Sequence, residues 1–420
     1  MTIKKQGDEE RLDTEAIRTS WGNDEPKKQE KIKEIKELKA EPNGDFLLEI
    51  FDGAIEAHAS DIHIEPLSKK LIVRIRVDGV LIEQWSKSII EHEPLVNRIK
   101  VLAGIDIVDR STPQDGHFEI NSSKGVLDIR VSVFPTINGD AAALRFVNRS
   151  DMLVDLKDLA ADQKTFLMIK GLISKIYGMV LITGPSGSGK TTTLYSILNE
   201  LQSKEKNIIT LEDPVELRLD GIRQSQIRPE QGFTFASGMK SILRQDPDVI
   251  MIGEIRDPET AGYAMRSALA GRIVFSTVHS NTTVGTIARL LDMNVERSLI
   301  AFAINGIIAK RLVRMICKNC KETYTPAPEY LQYFELSASD HVFTHGKGCD
   351  HCRGTGYAGR IGLFGVLEFD DNLRALIVEK SPMNVLQDYI DKSGVKTLKT
   401  DAVEKVLAGI TTLEEAAHAV

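Results

Sequence analysis

The sequence predicts an α/β fold: a parallel sheet covered by helices on both faces, with a mixed α+β domain ahead of it. Three observations predict it. Apolar runs at 179–183, 207–211, 248–252 and 272–278 read as strands with helical segments between them, the alternation of a parallel sheet. Gly184-Pro185-Ser186-Gly187-Ser188-Gly189-Lys190-Thr191 fits G-x-x-x-x-G-K-[ST] and sits between an apolar strand and a helical segment starting at Thr192. With 420 residues and 42% hydrophobic content, the chain can build several cores, and its length implies about two to four domains.

The elements follow in order. Residues 1–42 are highly charged with few large apolar side chains, so they cannot bury enough area to offset the entropy of ordering. Within them Ile32, Ile35 and Leu38 would form a thin stripe on a helix. A plain tail and a docking helix are the two readings. The α+β domain spans 43–148. It has a helix through 46–59, strands at 61–64, 71–77 and 81–82, and a hairpin signal at Asp78-Gly79. A helix at 95–103 and strands at 118–120, 127–133 and 142–147 complete it. A polar linker, 149–160, leads to the sheet domain, 161–314. A cysteine-bearing segment occupies 315–360. Helical periodicity fills 361–420, with Thr411 or Thr412 as cap of the last helix and Glu414 or Glu415 in its first turn.

Composition excludes some classes. A net charge of −7 argues against coating nucleic acid by bulk electrostatics, and no nucleic-acid partner is expected. No apolar stretch approaches the roughly 18–20 residues that span a bilayer. The first residues lack the apolar centre of a signal peptide, so a cytosolic protein is expected.

Four features carry chemistry. In the loop 184–191, glycines let backbone N–H groups turn toward phosphate oxygens and the helix N-terminus adds positive potential. Lys190 reaches the β/γ-phosphates and the Thr191 hydroxyl is placed for Mg²⁺. With Thr192, these residues form the candidate nucleotide site. Val249-Ile250-Met251-Ile252 reads as a buried strand that presents Glu254, a candidate for Mg²⁺ coordination or water activation. The strand before it ends in Glu212 and Asp213, where a carboxylate can orient and deprotonate a water. The run 274–278 ends in His279, placed to donate to the terminal phosphate and sense it.

These motifs, in this order, resemble the secretion ATPase superfamily: hexameric motors of type II secretion, type IV pilus assembly and competence pseudopili. Leu211-Glu212-Asp213-Pro214-Val215-Glu216 looks like its Asp box, 243–254 like its Walker B region, and Ser276-Thr277-Val278-His279 like its His box. Arg74-Ile75-Arg76-Val77-Asp78-Gly79, Pro113-Gln114-Asp115-Gly116, Arg311-Leu312-Val313-Arg314 and Gly409-Ile410-Thr411-Thr412 are similar to further family motifs, and the likeness runs from residue 45 onward.

The resemblance implies a RecA-like P-loop NTPase core, a PAS-like N-terminal α+β domain, a small zinc-binding insert and a helical C-terminus. It implies ATP and Mg²⁺, with Lys190 and Thr191 on phosphate and metal, Glu212 as general base and Glu254 completing the Mg²⁺ site. Arginines of the N-terminal domain would reach the nucleotide, some across a subunit boundary, the candidates being Arg76, Arg98 and Arg110, with Arg74 behind them. It also implies a homohexamer on the cytoplasmic face of the inner membrane. There it would drive a platform protein and, through it, pilin or pseudopilin subunits. A DNA-translocating or conjugative secretion ATPase is the alternative within the superfamily, and a zinc-dependent nucleic-acid-binding NTPase the alternative outside it. Ser111, His117, Arg272, Lys310 and Gly365 depart from the family pattern, at positions expected to lie away from the phosphate chemistry.

The 4 cysteines form two C-x-x-C pairs, Cys317/Cys320 and Cys349/Cys352. In a reducing compartment that spacing favours a metal over disulfides, and four thiolates favour structural Zn²⁺. His351 is expected to be exposed rather than a ligand. The insert is similar to that of assembly and type II secretion ATPases, which retraction ATPases generally lack.

Overall fold

The computed structural model describes residues 33–34, 44–122, 125–148, 153–160 and 162–420. The stripe expected at Ile32, Ile35 and Leu38 lies outside them. The chain divides into two compact units, Met1–Ile55 with His63–Val73 and Ser86–Arg145, and Glu56–Ile62 with Arg74–Trp85 and Phe146–Val420.

The elements up to residue 148 are β1 (Lys33–Glu34), α1 (Gly44–Glu56), β2 (Asp61–Pro66), β3 (Lys70–Val77), β4 (Val80–Ser88), α2 (His92–Ala103), β5 (Gln114–Ser122), β6 (Gly125–Thr136) and β7 (Gly139–Asn148). Their strands form one sheet in the order β1-β5-β6-β7-β2-β3-β4. Leu47, Ile50, Phe51 and Ala54 recur every three or four residues along α1 and are fully buried, so its apolar stripe faces the core. The Asp78-Gly79 turn forms as expected, with φ of 49° and 87°, the left-handed pair of a tight hairpin.

The remaining elements are α3 (Leu156–Ala160), α4 (Gln163–Ile173), β8 (Gly178–Thr183), α5 (Lys190–Leu201), β9 (Ile208–Glu212), β10 (Arg223–Gln226), α6 (Phe235–Ile242), β11 (Val249–Ile252), α7 (Pro258–Leu269), β12 (Ile273–Val278), α8 (Thr283–Asp292), α9 (Arg297–Ala303), β13 (Ile304–Ile316), β14 (Lys321–Tyr324), α10 (Pro328–Phe334), β15 (Phe343–Gly346), β16 (Tyr357–Glu368), α11 (Asp371–Val378), α12 (Met383–Lys392), α13 (Leu398–Leu407) and α14 (Leu413–Ala419). Among the described residues no helix is long and apolar enough to cross a membrane.

The central sheet runs β10-β9-β11-β12-β8-β13-β16. Every pairing is parallel except β13 with β16. Both faces are covered, which is why β8, β11 and β12 are buried at every position and read as unbroken apolar runs. Alternate residues supply two separate layers. Met179, Leu181, Ile250, Ile252 and Val274 pack with α6 to α9. Val180, Ile182, Val249, Met251 and Phe275 pack with α4 and α5.

Helix starts are fixed locally. Asp162, Asp257, Thr282, Asp370 and Thr412 each accept a backbone N–H three residues on. Thr412 is therefore the cap of the last helix. Thr411 instead donates to the Arg314 carbonyl at 2.8 Å.

Several strands depart from the sequence expectation: β1 lies in the segment expected to be a tail or a docking helix, β10 joins the central sheet where no strand is expected, and β14 and β15 form a small sheet in the cysteine segment. β13 forms where no strand is expected, and β16 begins in the cysteine segment and runs into the region expected to be helical. Buried charges tie β16 to the helices after it. Lys396 lies 2.8 Å from Asp401, 2.9 Å from Glu404 and 3.2 Å from Asp162. Asp401 also pairs with Lys405 at 2.6 Å and accepts the Phe364 amide at 2.8 Å. Burial alone would lower the Lys396 pKa, but these carboxylates outweigh it and hold the group above its ordinary value.

Candidate functional site

The parallel register places the chemistry on one sheet edge. Val278 lies opposite Thr183, and Ile252 lies opposite both Ser276 and Leu211. The loop after β8, Glu212 at the end of β9, Glu254 just past β11 and His279 just past β12 thus emerge at the carboxyl ends of neighbouring strands, where open parallel sheets bind ligands.

The loop 184–189 is shaped for an anion. Gly187 and Gly189 hold φ of 75° and 84°, and a Cβ on Gly184 would fall 2.4 Å from Ser188 Oγ. Ser188 is buried and its hydroxyl has no hydrogen-bond partner among the described residues. Lys190 opens α5, and its Nζ donates to the carbonyls of Gly184 and Pro185, each at 2.9 Å. Burial lowers its pKa. The Glu254 charge opposes that shift and the Arg311 charge adds to it. An orphan hydroxyl, a lysine held only by carbonyls and a helix N-terminus together fit a nucleotide phosphate.

Glu254 is 14% exposed, pairs with Arg256 and stands 3.3 Å from His279 Nε2. The other flanking residues serve the fold: Asp257 caps α7, and Asp248 accepts the Asn207 amide at 2.7 Å. Thr191 is exposed at the start of α5. This pair, a hydroxyl at the loop and a carboxylate at the next-but-one strand end, is a donor set that suits Mg²⁺.

Glu212 is more enclosed, at 3% exposure. Tyr195 donates to one carboxylate oxygen, and Thr210 and Gln224 donate to the other. The Tyr195 oxygen also accepts the amides of Glu216 and Leu217 at 3.1 and 3.3 Å. Burial first, then the Glu212 charge, push the phenol well above its ordinary pKa, so it remains a donor. Tyr195, Thr210 and Gln224 carry no local motif. The packing of α5 on the sheet brings Tyr195 to Glu212, Thr210 shares its strand two residues earlier, and the pairing of β10 with β9 sets Gln224 opposite Thr210.

Lys310 corrects an expectation, because it does lie beside the loop 184–191. It is 1% exposed, and its Nζ donates to Thr193 Oγ1 at 2.9 Å and to the Gly189 carbonyl at 3.3 Å. It also stands 5.1 Å from the centroid of the Phe364 ring. Burial lowers its pKa to about 7. β13 pairs with β8 so that Ala309 lies opposite Thr183, and Lys310, the next residue, therefore stands level with the start of the loop.

The expected N-terminal arginines have local partners. Arg76 donates to the Gly79 carbonyl at 2.8 Å and stands 3.8 Å from Asp61. Arg110 pairs with exposed Glu93, and Arg98 lies half-buried on α2.

The four cysteines converge, their sulfurs all within 4.8 Å of one another. Cys317–Cys349, Cys320–Cys352 and Cys349–Cys352 are 3.9, 3.8 and 3.7 Å apart. Tetrahedral Zn–S bonds of about 2.3 Å place sulfurs about 3.8 Å apart, so the cage has the size of a zinc site. Burial pushes the Cys320 thiol up to about 12. Burial acts on Cys352 too, but backbone N–H groups outweigh it and lower that thiol to about 6. Four thiolates this close need a cation between them. His351 is exposed, as expected. Gly346 and Gly356 let the two arms of the second knuckle close on each other, since a Cβ on either would lie 2.0 or 2.2 Å from the other's carbonyl oxygen.

Comparison with known proteins gives consistent matches. Residues 36–418 match the sequence model of the family described as "Type II/IV secretion system protein". The type II secretion system ATPase E of Vibrio cholerae is 42% identical over 363 residues, covering 86% of this chain and 72% of that one. The type IV pilus assembly ATPase PilB of Thermus thermophilus is 39% identical over 373 residues, covering 88% of this chain and 42% of its own. Among solved structures, the pilus retraction motor PilT with bound ADP aligns with a TM-score of 0.59 at 27% identity, covering 89% of this chain and 96% of that one. The ATPase DotB of Legionella pneumophila aligns at 0.66 with 22% identity, covering 92% and 98%, a likeness of fold.

Proposed function

The chain belongs to the Type II/IV secretion system protein family, and from that premise we propose that it is a P-loop ATPase. It hydrolyses ATP to power assembly of a type IV pilus, a type II secretion pseudopilus or a competence pseudopilus. The observation that carries the reading is the shared sheet edge, where the 184–191 loop, Glu212, Glu254 and His279 end neighbouring parallel strands.

In this reading the amides of 184–189, Lys190 and the Ser188 hydroxyl bind the nucleotide phosphates. Thr191 and Glu254 would hold Mg²⁺, which would supply positive charge to the phosphoryl oxygens. His279, beside Glu254, senses the terminal phosphate. Glu212 is the general base, and it accepts a proton from water once one of its three donors turns away. Arg76, Arg98 and Arg110 serve the nucleotide in a homohexamer, some of them across a subunit boundary. Cys317, Cys320, Cys349 and Cys352 hold Zn²⁺ in a site with no open position, which makes that centre structural. Such an insert supports assembly rather than retraction as the direction of work. The motor acts at the cytoplasmic face of the inner membrane on a platform protein, and through it on pilin or pseudopilin subunits.

The test is ATP binding and steady-state hydrolysis with Mg²⁺. The wild-type chain turns ATP over, Lys190→Ala loses nucleotide binding, and Glu254→Gln binds ATP without turnover. Full hydrolysis by Glu254→Gln would overturn the metal assignment, and undiminished binding by Lys190→Ala would overturn the phosphate site.

A further inference from the structure

A second cavity wall at the phosphate loop has no assigned role. A cavity of about 280 Å³ opens in front of Ser186, Gly187 and Ser188, and its other walls include Arg311, Glu415 and His418. Arg311 lies on β13, which runs parallel to β8 with Ala309 opposite Thr183, so two residues further on it stands level with the loop. Its Nη1 donates to the Lys310 carbonyl at 3.0 Å. Its Nη2 donates to the Asn281 carbonyl at 2.6 Å and lies 3.4 Å from Asn281 Oδ1.

Among the described residues no carboxylate pairs with this guanidinium. Glu415, on the cavity wall, is already engaged by Arg314 through both oxygens. Two cations thus face the loop: the Glu254 carboxylate answers the Lys190 charge, whereas Arg311, close enough that its charge depresses Lys190, has no carboxylate paired to it among the described residues. The Ser188 hydroxyl, buried and unpartnered, completes the set. Like charges held together in a partly desolvated site cost free energy unless an anion joins them.

We propose that Arg311 is a phosphate-binding residue acting within its own subunit: its guanidinium fork contacts the terminal phosphoryl oxygens of ATP. Its bond to Asn281, two residues past His279, links that contact to the segment that senses the phosphate. The planar fork suits this role, since one edge can hold a carbonyl while another meets a phosphoryl oxygen. This inference rests on the loop 184–191 being the nucleotide site.

The experiment measures the Kd of Mg²⁺-ADP and of a non-hydrolysable Mg²⁺-ATP analogue by calorimetry, using the full chain as wild type, Arg311→Gln, Arg311→Lys and Lys190→Ala. The expected result is that Arg311→Gln weakens the triphosphate by about 10- to 100-fold and ADP by less than about three-fold. Arg311→Lys, which keeps the charge and loses the fork, falls between. Equal weakening of both nucleotides would make Arg311 a brace of the loop, and no change in either would make it a bystander. Either result overturns the proposal. If Arg311→Gln does not fold, the triphosphate-to-diphosphate ratio of Arg311→Lys decides, an unchanged ratio overturning it. Lys190→Ala is the separate check: if it binds both nucleotides normally, the loop assignment fails, whereas loss of binding there with a wild-type ratio in the Arg311 variants refutes only this inference.

Discussion

The Tyr195 hydroxyl donates to the Glu212 carboxylate while its oxygen accepts the amides of Glu216 and Leu217, so one phenol pins both the strand end and the loop after it. Tyr195→Phe removes a bond to a charged acceptor and leaves two amides without a partner. The expected cost is about 1.5–3 kcal/mol of stability, read from the urea midpoint. If Glu212 acts as base, turnover falls by about ten-fold or more, because its geometry is no longer fixed. Nucleotide affinity holds, since Lys190 keeps its own partners, the carbonyls of Gly184 and Pro185. Unchanged stability and turnover together would show the phenol to be dispensable.

Lys310 predicts a pH dependence. Its neighbours are the Gly189 carbonyl, the Thr193 hydroxyl and the Phe364 ring, with no carboxylate paired to it among the described residues. Burial lowers its pKa to about 7 in the folded chain, against an ordinary 10.5. Above the ordinary value both states are neutral and there is no penalty. As pH falls, the unfolded chain takes up the proton first, so the penalty grows until the folded pKa is reached. Lys310→Gln should therefore gain more in Tm, relative to wild type, at pH 7 than at pH 10. A Tm difference that is the same at both pH values would contradict this.

The buried cluster around Lys396 and Asp401 predicts a stability loss. Lys396→Met leaves Asp401, which is wholly buried, with only Lys405 and the Phe364 amide. Breaking such a pair costs about 3–5 kcal/mol. Chemical denaturation should show a loss of that size. A loss under about 1 kcal/mol would mean that water or a rearranged Lys405 fills the gap.

Metal removal should act locally. A chelator strong enough to strip zinc, or Cys352→Ser, should release about one metal ion per chain in elemental analysis and speed amide exchange across 317–357. Nucleotide affinity should hold. Loss of nucleotide binding at unchanged exchange would point to a metal at the nucleotide instead.

The features that could be read from the sequence were local. Strands β8, β9, β11 and β12 announced themselves because both faces are buried, which makes their runs apolar without interruption. The cysteine cage was legible from ligand spacing alone. β16 was not, because it carries Gly359, Gly362 and Gly365, residues that weaken a strand pattern. Their reason is tertiary: a Cβ on Gly362 would lie 2.6 Å from the Phe364 ring, and one on Gly365 would lie 3.0 Å from the Leu398 amide. β13 was hidden by Asn305, Gly306 and a buried lysine. Tyr195, Gln224, Lys310 and Arg311 could not be assigned to the site from sequence, since helix packing brings the first, and strand order the others, to Glu212 and the loop. Glu212 ends β9, as the sequence predicts, but its triple bonding has no signal in a strand-end acid.

The excursion between β13 and β16 begins and ends on neighbouring residues: Ile316 pairs with Tyr357, and the Cys317 amide bonds the Gly356 carbonyl at 2.9 Å. Such a segment is a detachable part. A short turn spliced in at that neck would leave each pairing of the central sheet as it stands. What would lose its wall is the end of the chain, where Tyr324 reaches Glu414 and Tyr333 reaches the Val420 carbonyl at 3.2 Å. A version of this protein without its cysteines therefore needs rewritten faces on its last two helices, α13 and α14, and no new strand in the central sheet.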